Sequence, residues 1–254
     1  MKKKLKKIVV IPARLSSSRL PGKVLLDLKG KSVVQRVFEQ VQKAKNIDAI
    51  YIATDSTEVQ KVCQAFTSNV ILTSDKHESG TDRIAEAVAT IECDVVINVQ
   101  GDEPFIEPKL IEDLAATFDD ETTPMASAMH KIELVEELKN PNVVKVVVNK
   151  QNNAIYFSRS IIPHHRDEWD ALLNHHTHIP KGLHFYRHLG IYGYTKEFLL
   201  KYITMEMTYL ERLEKLEQLR VLENGYKIKM IETSYNSIGI DTQSDYEKAL
   251  EMLS

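Results

Sequence analysis

Lys7-Ile-Val-Val-Ile11-Pro-Ala13-Arg14-Leu-Ser-Ser17-Ser-Arg19-Leu-Pro-Gly22-Lys23 opens the chain's first regular element and the loop behind it. The β-branched run Lys7–Ile11 reads as a strand. Three cations, Arg14, Arg19 and Lys23, then share a loop with three hydroxyls, Ser16, Ser17 and Ser18. Short β-branched runs recur at Ala49–Ala53, Val70–Leu72 and Asp94–Val99, and segments of helical spacing lie between them. Val33, Val34, Val37, Phe38 and Val41 form one apolar helix face. Ile84, Val88 and Ile91 mark a third helix, and Leu110, Ile111, Leu114 and Phe118 a fourth. Ser32 with Gln35 reads as a capping box, as does Asp55 with Glu58 ahead of a helix over about 56–66. Strand–helix alternation at this pitch predicts an α/β fold with a mostly parallel central sheet flanked by helices. Ligands in such sheets sit beyond the carboxyl ends of the strands. The loops there are Pro12–Lys23, Thr54–Asp55, Thr73–Thr81 and Gln100–Pro108.

The second half is less regular. Met125–Ile132, Val143–Val148, Ala154–Phe157, His188–Tyr194 and Lys227–Ile231 read as strands, and His164–His184 as a long polar loop. Lys196–Glu223, free of Gly and Pro, predicts two helices, the second capped at Asn224–Gly225. Thr242 caps a closing helix to Leu253. The expected organisation is a single α/β domain over 1–254, with a smaller lobe from about 125–195.

Composition excludes several classes. The 254 residues are 43% hydrophobic and 27% charged, which suits a globular protein and excludes a disordered or collagen-like chain. A net charge of −3 gives no bulk electrostatic grip on nucleic acid. The five lysines within 1–7 mimic a signal-peptide start, but the apolar run after them is stopped by Pro12 and Arg14, so neither export nor a membrane span is expected. The two cysteines, Cys63 and Cys93, form no CxxC, and a reducing, cytoplasmic setting follows.

The loops carry the chemistry. Backbone amides and small side chains after the first strand can approach a polyphosphate that Arg14, Arg19 and Lys23 neutralise. Two nucleotide fingerprints fail: Gly30-Lys31-Ser32 lacks the P-loop's first glycine, since position 25 is Leu25, and no GxGxxG follows the first strand. Asp102, in Val99-Gln100-Gly101-Asp102-Glu103-Pro104, and Asp241, in Gly239-Ile240-Asp241-Thr242, are placed to hold a hard divalent cation such as Mg²⁺. His77-Glu78-Ser79-Gly80-Thr81-Asp82-Arg83 starts a helix suited to backbone contacts with a ligand. Arg159 suits a carboxylate, and His188, Glu217 and Gln218 suit sugar hydroxyls. Taken singly, each of these also has a structural reading as a cap, a turn or a surface pair. The pairs His164/His165 and His175/His176 lack zinc spacing.

IPARLSSSRLPGK, HESGTDR, NVQGDEP, YFSRSIIP, RHLGIYGY and LEQLRVLENG, in this order, resemble the 3-deoxy-manno-octulosonate cytidylyltransferases (CMP-KDO synthetases) among the sugar nucleotidyltransferases. The resemblance runs from about residue 7 to 253. It implies a nucleotide-diphospho-sugar transferase-like fold with a smaller dimerisation lobe, and a homodimer. It implies transfer of CMP from CTP to KDO with Mg²⁺ as cofactor, for lipopolysaccharide assembly. It assigns Ala13, Arg14, Ser17, Arg19, Lys23, Ser79, Gly80, Thr81, Arg83 and Gln100 to CTP. Gln100, Arg159, His188, Tyr192, Glu217 and Gln218 fall to the sugar, Asp102 and Asp241 to the metal, and Arg14, Arg19, Lys23 and Asp102 to catalysis. The same reaction on 8-amino-KDO is the nearest alternative, and sialic acid is a weaker one. A non-catalytic CTP-binding module is the alternative from another class. The His-rich stretch is longer than the family's and has no role in this reading.

Overall fold

A computed structural model of the chain describes residues 4–17, 19–77, 79–120, 122–236 and 238–253. Ser18 and Glu78, quoted above with their motifs, and the first three residues of the basic terminus lie outside the described residues. In chain order the elements are β1 (Lys7–Pro12), α1 (Val33–Val41), β2 (Ala49–Thr54), α2 (Thr57–Cys63), β3 (Val70–Leu72), α3 (Gly80–Val88), β4 (Val95–Asn98) and α4 (Pro108–Ala116). There follow β5 (Met125–Lys131), α5 (Val135–Lys139), β6 (Lys145–Val148), β7 (Ala154–Ser158), α6 (Trp169–Asn174), β8 (Tyr186–Thr195), α7 (Lys196–Tyr202), α8 (Tyr209–Glu214), α9 (Leu219–Glu223), β9 (Ile228–Thr233) and α10 (Gln243–Glu251). Among the described residues no helix is long and apolar enough to cross a membrane.

The chain divides into two compact units. The first comprises Met1–Asp120, Ile191–Ile203 and Asn236–Ser254; the second comprises Glu121–Gly190 and Thr204–Tyr235. In the first unit the strands run β3-β2-β1-β4, all parallel. β1 is central: Ile8, Val9, Val10 and Ile11 are wholly buried, as a strand covered on both faces requires. The part of β8 that belongs to this unit runs antiparallel to β4, with Asn98 opposite Tyr192. α1 buries the five residues of its apolar face. α10 buries Ala249 in a cluster with Leu28, Val33 and Ile240, which fixes the segment just ahead of it.

In the second unit β5 pairs parallel with β9, and β6 pairs antiparallel with β7 and with the start of β8. Ile132, Val135, Leu138, Leu172 and Phe185 form its core cluster. The segment 204–235 belongs to this unit besides most of the stretch around 125–195 expected of the lobe.

Four local expectations are corrected. Ser32 caps α1 by accepting from the Gln35 amide, but the Gln35 side chain donates to Glu39 at 3.2 Å instead of closing a box. α2 is capped by Ser56, not Asp55, whose carboxylate is taken by Arg83. The polar stretch 164–184 contains α6, because Leu172 is buried and Trp169 and Leu173 pack beside it. The segment 196–223 forms three helices, not two: after Glu214 the chain turns through Lys215 at φ 55°, a left-handed conformation that ends α8.

Candidate functional site

The first loop is closed on itself. Ala13 N–H donates to Ala53 O at 2.8 Å, and Gly22 N–H donates back to Leu15 O at 3.1 Å. Gly22 adopts φ 67°, where a side chain is strained, and starts a short 3₁₀ turn over Lys23–Leu25. That turn directs Lys23 inward, leaving its side chain only 10% exposed.

Two further loops meet it. Beyond β4 the chain turns through Gln100-Gly101-Asp102. A Cβ on Gly101 would lie 2.6 Å from the backbone oxygen of Pro12, so only glycine lets this turn lie against the end of β1. Asp102 O accepts from Ile240 N–H at 2.9 Å, which joins the turn to the segment ahead of α10. There Asp245 accepts from the backbone N–H of Asp241 and Thr242, which fixes the backbone just ahead of α10.

The three loops converge on one ammonium. Lys23 Nζ donates to Asp102 Oδ2 and, at 2.7 Å, to Asp241 Oδ1. Arg19 takes the other Asp241 oxygen at 2.9 Å. Burial alone pulls the Lys23 pKa down, but the Asp102 and Asp241 carboxylates outweigh it and hold the group above the ordinary lysine value. Lys23 is thus a fixed cation at neutral pH.

A cleft of about 290 Å³ opens beside this cluster. Pro12, Arg14, Lys23, His77, Ser79 and Gly80 are among the residues lining it, with Arg83, Gln100, Gly101 and Asp102. α3 begins at its wall. Ser79 Oγ caps the helix by accepting from Asp82 N–H at 3.0 Å, so the positive end of the helix faces the cleft. Gly80 would carry a Cβ 3.6 Å from the Pro12 ring, ordinary contact, so it is not needed for space. Arg83 is 3% exposed and donates to Asp55 at 2.7 Å and to Thr73 Oγ1 at 2.7 Å. These bonds tie the carboxyl ends of β2 and β3 to α3.

Of the residues assigned to CTP, Arg14, Lys23, Ser79, Gly80, Arg83 and Gln100 line the cleft. Ala13 and Thr81 are buried and Ser17 is half-buried, and none of the three is in the lining. Arg19 reaches the cluster only through Asp241. Gln100 donates to Asn98 at 3.3 Å, and Tyr192 is nearly buried on β8.

The other residues assigned to the sugar belong to the second unit. His188 and Gln218 come together, with Gln218 Nε2 at 3.5 Å from His188 Nδ1. His188 Nε2 lies 2.8 Å from Ser127 Oγ, which donates onward to Leu189 O. A neutral imidazole with its proton on Nε2 satisfies this set, and burial pushes the His188 pKa down to about 3. Arg159 is held by Glu214: its Nε donates to Glu214 O at 2.8 Å and its backbone N–H to Glu214 Oε2 at 3.0 Å. Glu217 is half-buried in the turn before α9. That turn is clamped by a two-pronged pair of Arg220 with Glu211, at 2.7 and 2.6 Å.

The sequence reading did not single out Ser127, Glu211 or Glu214, and it gave Asp55 only as a helix cap. None sits in a motif with chemistry of its own, and each acts by holding a residue that does. His77 was quoted only as part of its motif; it lines the cleft and bonds Glu86.

The cytidylyltransferase family model matches residues 8–229. The 3-deoxy-manno-octulosonate cytidylyltransferase of Geotalea uraniireducens (strain Rf4) is 44% identical over 250 residues, covering 98% of this chain and 99% of the relative. That of Neisseria meningitidis serogroup A is 47% identical over 246 residues, 95% of each chain. A solved structure of CMP:2-keto-3-deoxy-manno-octonic acid synthetase complexed with CTP matches with a TM-score of 0.89 and 38% identity, over 98% of both chains. A 4-diphosphocytidyl-2C-methyl-D-erythritol synthase from Anaerococcus prevotii matches at TM-score 0.60 and 15% identity, a likeness of fold alone.

Proposed function

Since this chain belongs to the cytidylyltransferase family, among its 3-deoxy-manno-octulosonate cytidylyltransferases, we propose that the cleft beside Lys23, Asp102 and Asp241 is where CTP is held and attacked. The reaction transfers CMP from CTP to KDO and releases pyrophosphate. The observation that carries the site is the convergence of three loops, from residues 19–23, 100–102 and 241, on one buried ammonium.

The anomeric hydroxyl of the sugar attacks the α-phosphorus, and the bond to the pyrophosphate oxygen breaks. Negative charge grows on the leaving oxygens. Arg14 and Lys23 at the cleft, with Arg19 beside them, neutralise that charge, and the start of α3 adds backbone donors. Little covalent chemistry is left to the protein; it positions and it screens charge. Gln100 at the cleft wall, and His188, Tyr192, Arg159, Glu217 and Gln218, are assigned to the sugar. A neutral His188 suits a hydroxyl partner. Arg159, pre-set by Glu214, suits the sugar carboxylate.

A divalent cation fits the donor set. Asp102 and Asp241 are hard oxygen ligands already converged on one cationic group, and Mg²⁺ commonly takes one or two carboxylates together with phosphate oxygens. Mg²⁺, when bound there, supplies charge neutralisation at the phosphates. A cytoplasmic setting and a homodimer complete the reading. The two free cysteines support the first, and light scattering on the purified protein tests the second.

The test is pyrophosphate release from CTP with Mg²⁺, run in parallel with KDO, 8-amino-KDO and N-acetylneuraminate. Release with KDO is expected. Preference for the amino sugar redirects the substrate, and CTP binding without release from any sugar overturns the enzymatic reading in favour of a CTP-binding module.

A further inference from the structure

One oxygen of Asp102 and both oxygens of Asp241 already hold cations. Lys23 Nζ occupies the point where their oxygens converge, and Arg19 covers the remaining Asp241 oxygen at 2.9 Å. Two positive and two negative groups therefore balance before any ligand arrives. A divalent cation approaching this cluster alone meets carboxylates that are already neutralised, and Arg14 adds a further positive charge at the cleft. It must displace an ammonium that two carboxylates hold in a setting only 10% exposed. A triphosphate changes the balance, because its oxygens are alternative acceptors for Arg14, Arg19 and Lys23 alike. The lysine stem is flexible and its backbone is fixed by the Gly22 turn, so the ammonium can swing while the loop stays in place.

We propose that Lys23 is a resident counter-ion that keeps the Asp102–Asp241 position closed to metal in the nucleotide-free protein, and that the triphosphate opens it by drawing the ammonium onto its own oxygens. Metal and nucleotide then enter together, and the two acidic residues never stand uncompensated. This rests on the assignment of the cleft to CTP.

Mn²⁺ binding to nucleotide-free protein, followed by electron paramagnetic resonance, tests it without any turnover. Removing one unit charge in contact with two carboxylates should tighten Mn²⁺ binding by about tenfold or more in Lys23→Met. Lys23→Arg, which keeps the charge, should bind no more tightly than wild type, and adding Asp241→Asn to Lys23→Met should erase the gain. Equal or weaker Mn²⁺ binding by folded Lys23→Met overturns the proposal. Wild-type protein with ¹⁵N-labelled lysine gives a second reading should that variant not fold. The Lys23 ammonium resonance, identified by its absence in Lys23→Arg, should hold still on addition of Mg²⁺ alone and move with Mg²⁺ plus tripolyphosphate. Movement with Mg²⁺ alone overturns the proposal. Neither experiment uses the sugar or measures catalysis, so failure of pyrophosphate release and failure of this exchange are told apart.

Discussion

Gly101→Ala adds one carbon and should damage both stability and turnover. The new Cβ would lie 2.6 Å from Pro12 O and 3.5 Å from both Ala13 Cα and Cβ. Most of these neighbours are backbone, on or next to a strand pinned on both sides by β2 and β4, so β1 does not yield. The Gln100–Asp102 turn must move instead, by roughly 0.6 Å to restore an ordinary contact, at a strain cost of about 1–3 kcal/mol. For a chain of this size that lowers Tm by about 3–10 °C. Asp102 is the next residue and moves with the turn, away from Lys23 and from its backbone bond to Ile240. A displacement approaching 1 Å at a reacting centre costs about 10²-fold in rate, so turnover should fall about 10–100-fold. Circular dichroism melts and pyrophosphate release on the purified variant give the two numbers. A variant with wild-type Tm and wild-type turnover would refute the argument that the turn is seated by close approach.

Three further outcomes follow from other contacts. Asp102→Asn should stay folded and lose about 10²–10³ in turnover, the usual effect of removing one electrostatic group from a transfer site; a purified variant of near-normal turnover removes Asp102 from the machinery. Asp55→Ala leaves the buried Arg83 guanidinium with Thr73 and Ser74 but without its ion-pair partner, and urea unfolding should show a loss of about 3 kcal/mol. The His188 pKa is depressed in the folded protein, so the unfolded chain binds more protons below about pH 6.5, and that group's contribution declines as pH falls from there toward 3, by up to about 1.4 kcal/mol per pH unit. Chemical unfolding of wild type against His188→Gln across pH 4–7 measures it. Parallel pH dependences in the two proteins would show that His188 is not the titrating group.

The sheet and the loop positions were legible in the sequence because they rest on strong local signals. β1 and β4 are built on the apolar runs Ile8–Ile11 and Val95–Ile97, α1 and α4 carry their apolar faces at helical spacing, and Thr242 caps α10 as its residue type suggests. The cleft followed from the rule that such sheets bind at their carboxyl ends. Features decided by partners far away in the chain were not legible. Asp55 looks like a cap, and only the folded chain brings Arg83 to it. Local pattern hides α6 because a mostly polar segment needs few buried side chains to fold, and Leu172 provides one. The break after α8 lies at Lys215, a residue type that announces no turn. Arg19, Lys23, Asp102 and Asp241 were each named, but their mutual neutralisation is a property of geometry alone.

Lys23 and Asp241 are 218 residues apart in the chain. The strands β1 to β4 and the loop that carries Lys23 are all synthesised before residue 121, and a growing polypeptide can order them while Asp241 has yet to be made. Until that late residue arrives, Lys23 has one carboxylate and not two, and Asp102 lacks the Ile240 amide that anchors it. The charge balance around Lys23 is thus withheld from any incomplete translation product, however well its parallel sheet has formed. A chain ended before residue 241 has the cleft's walls but not that charge balance. Completion of the cluster in this way marks that synthesis has passed residue 241.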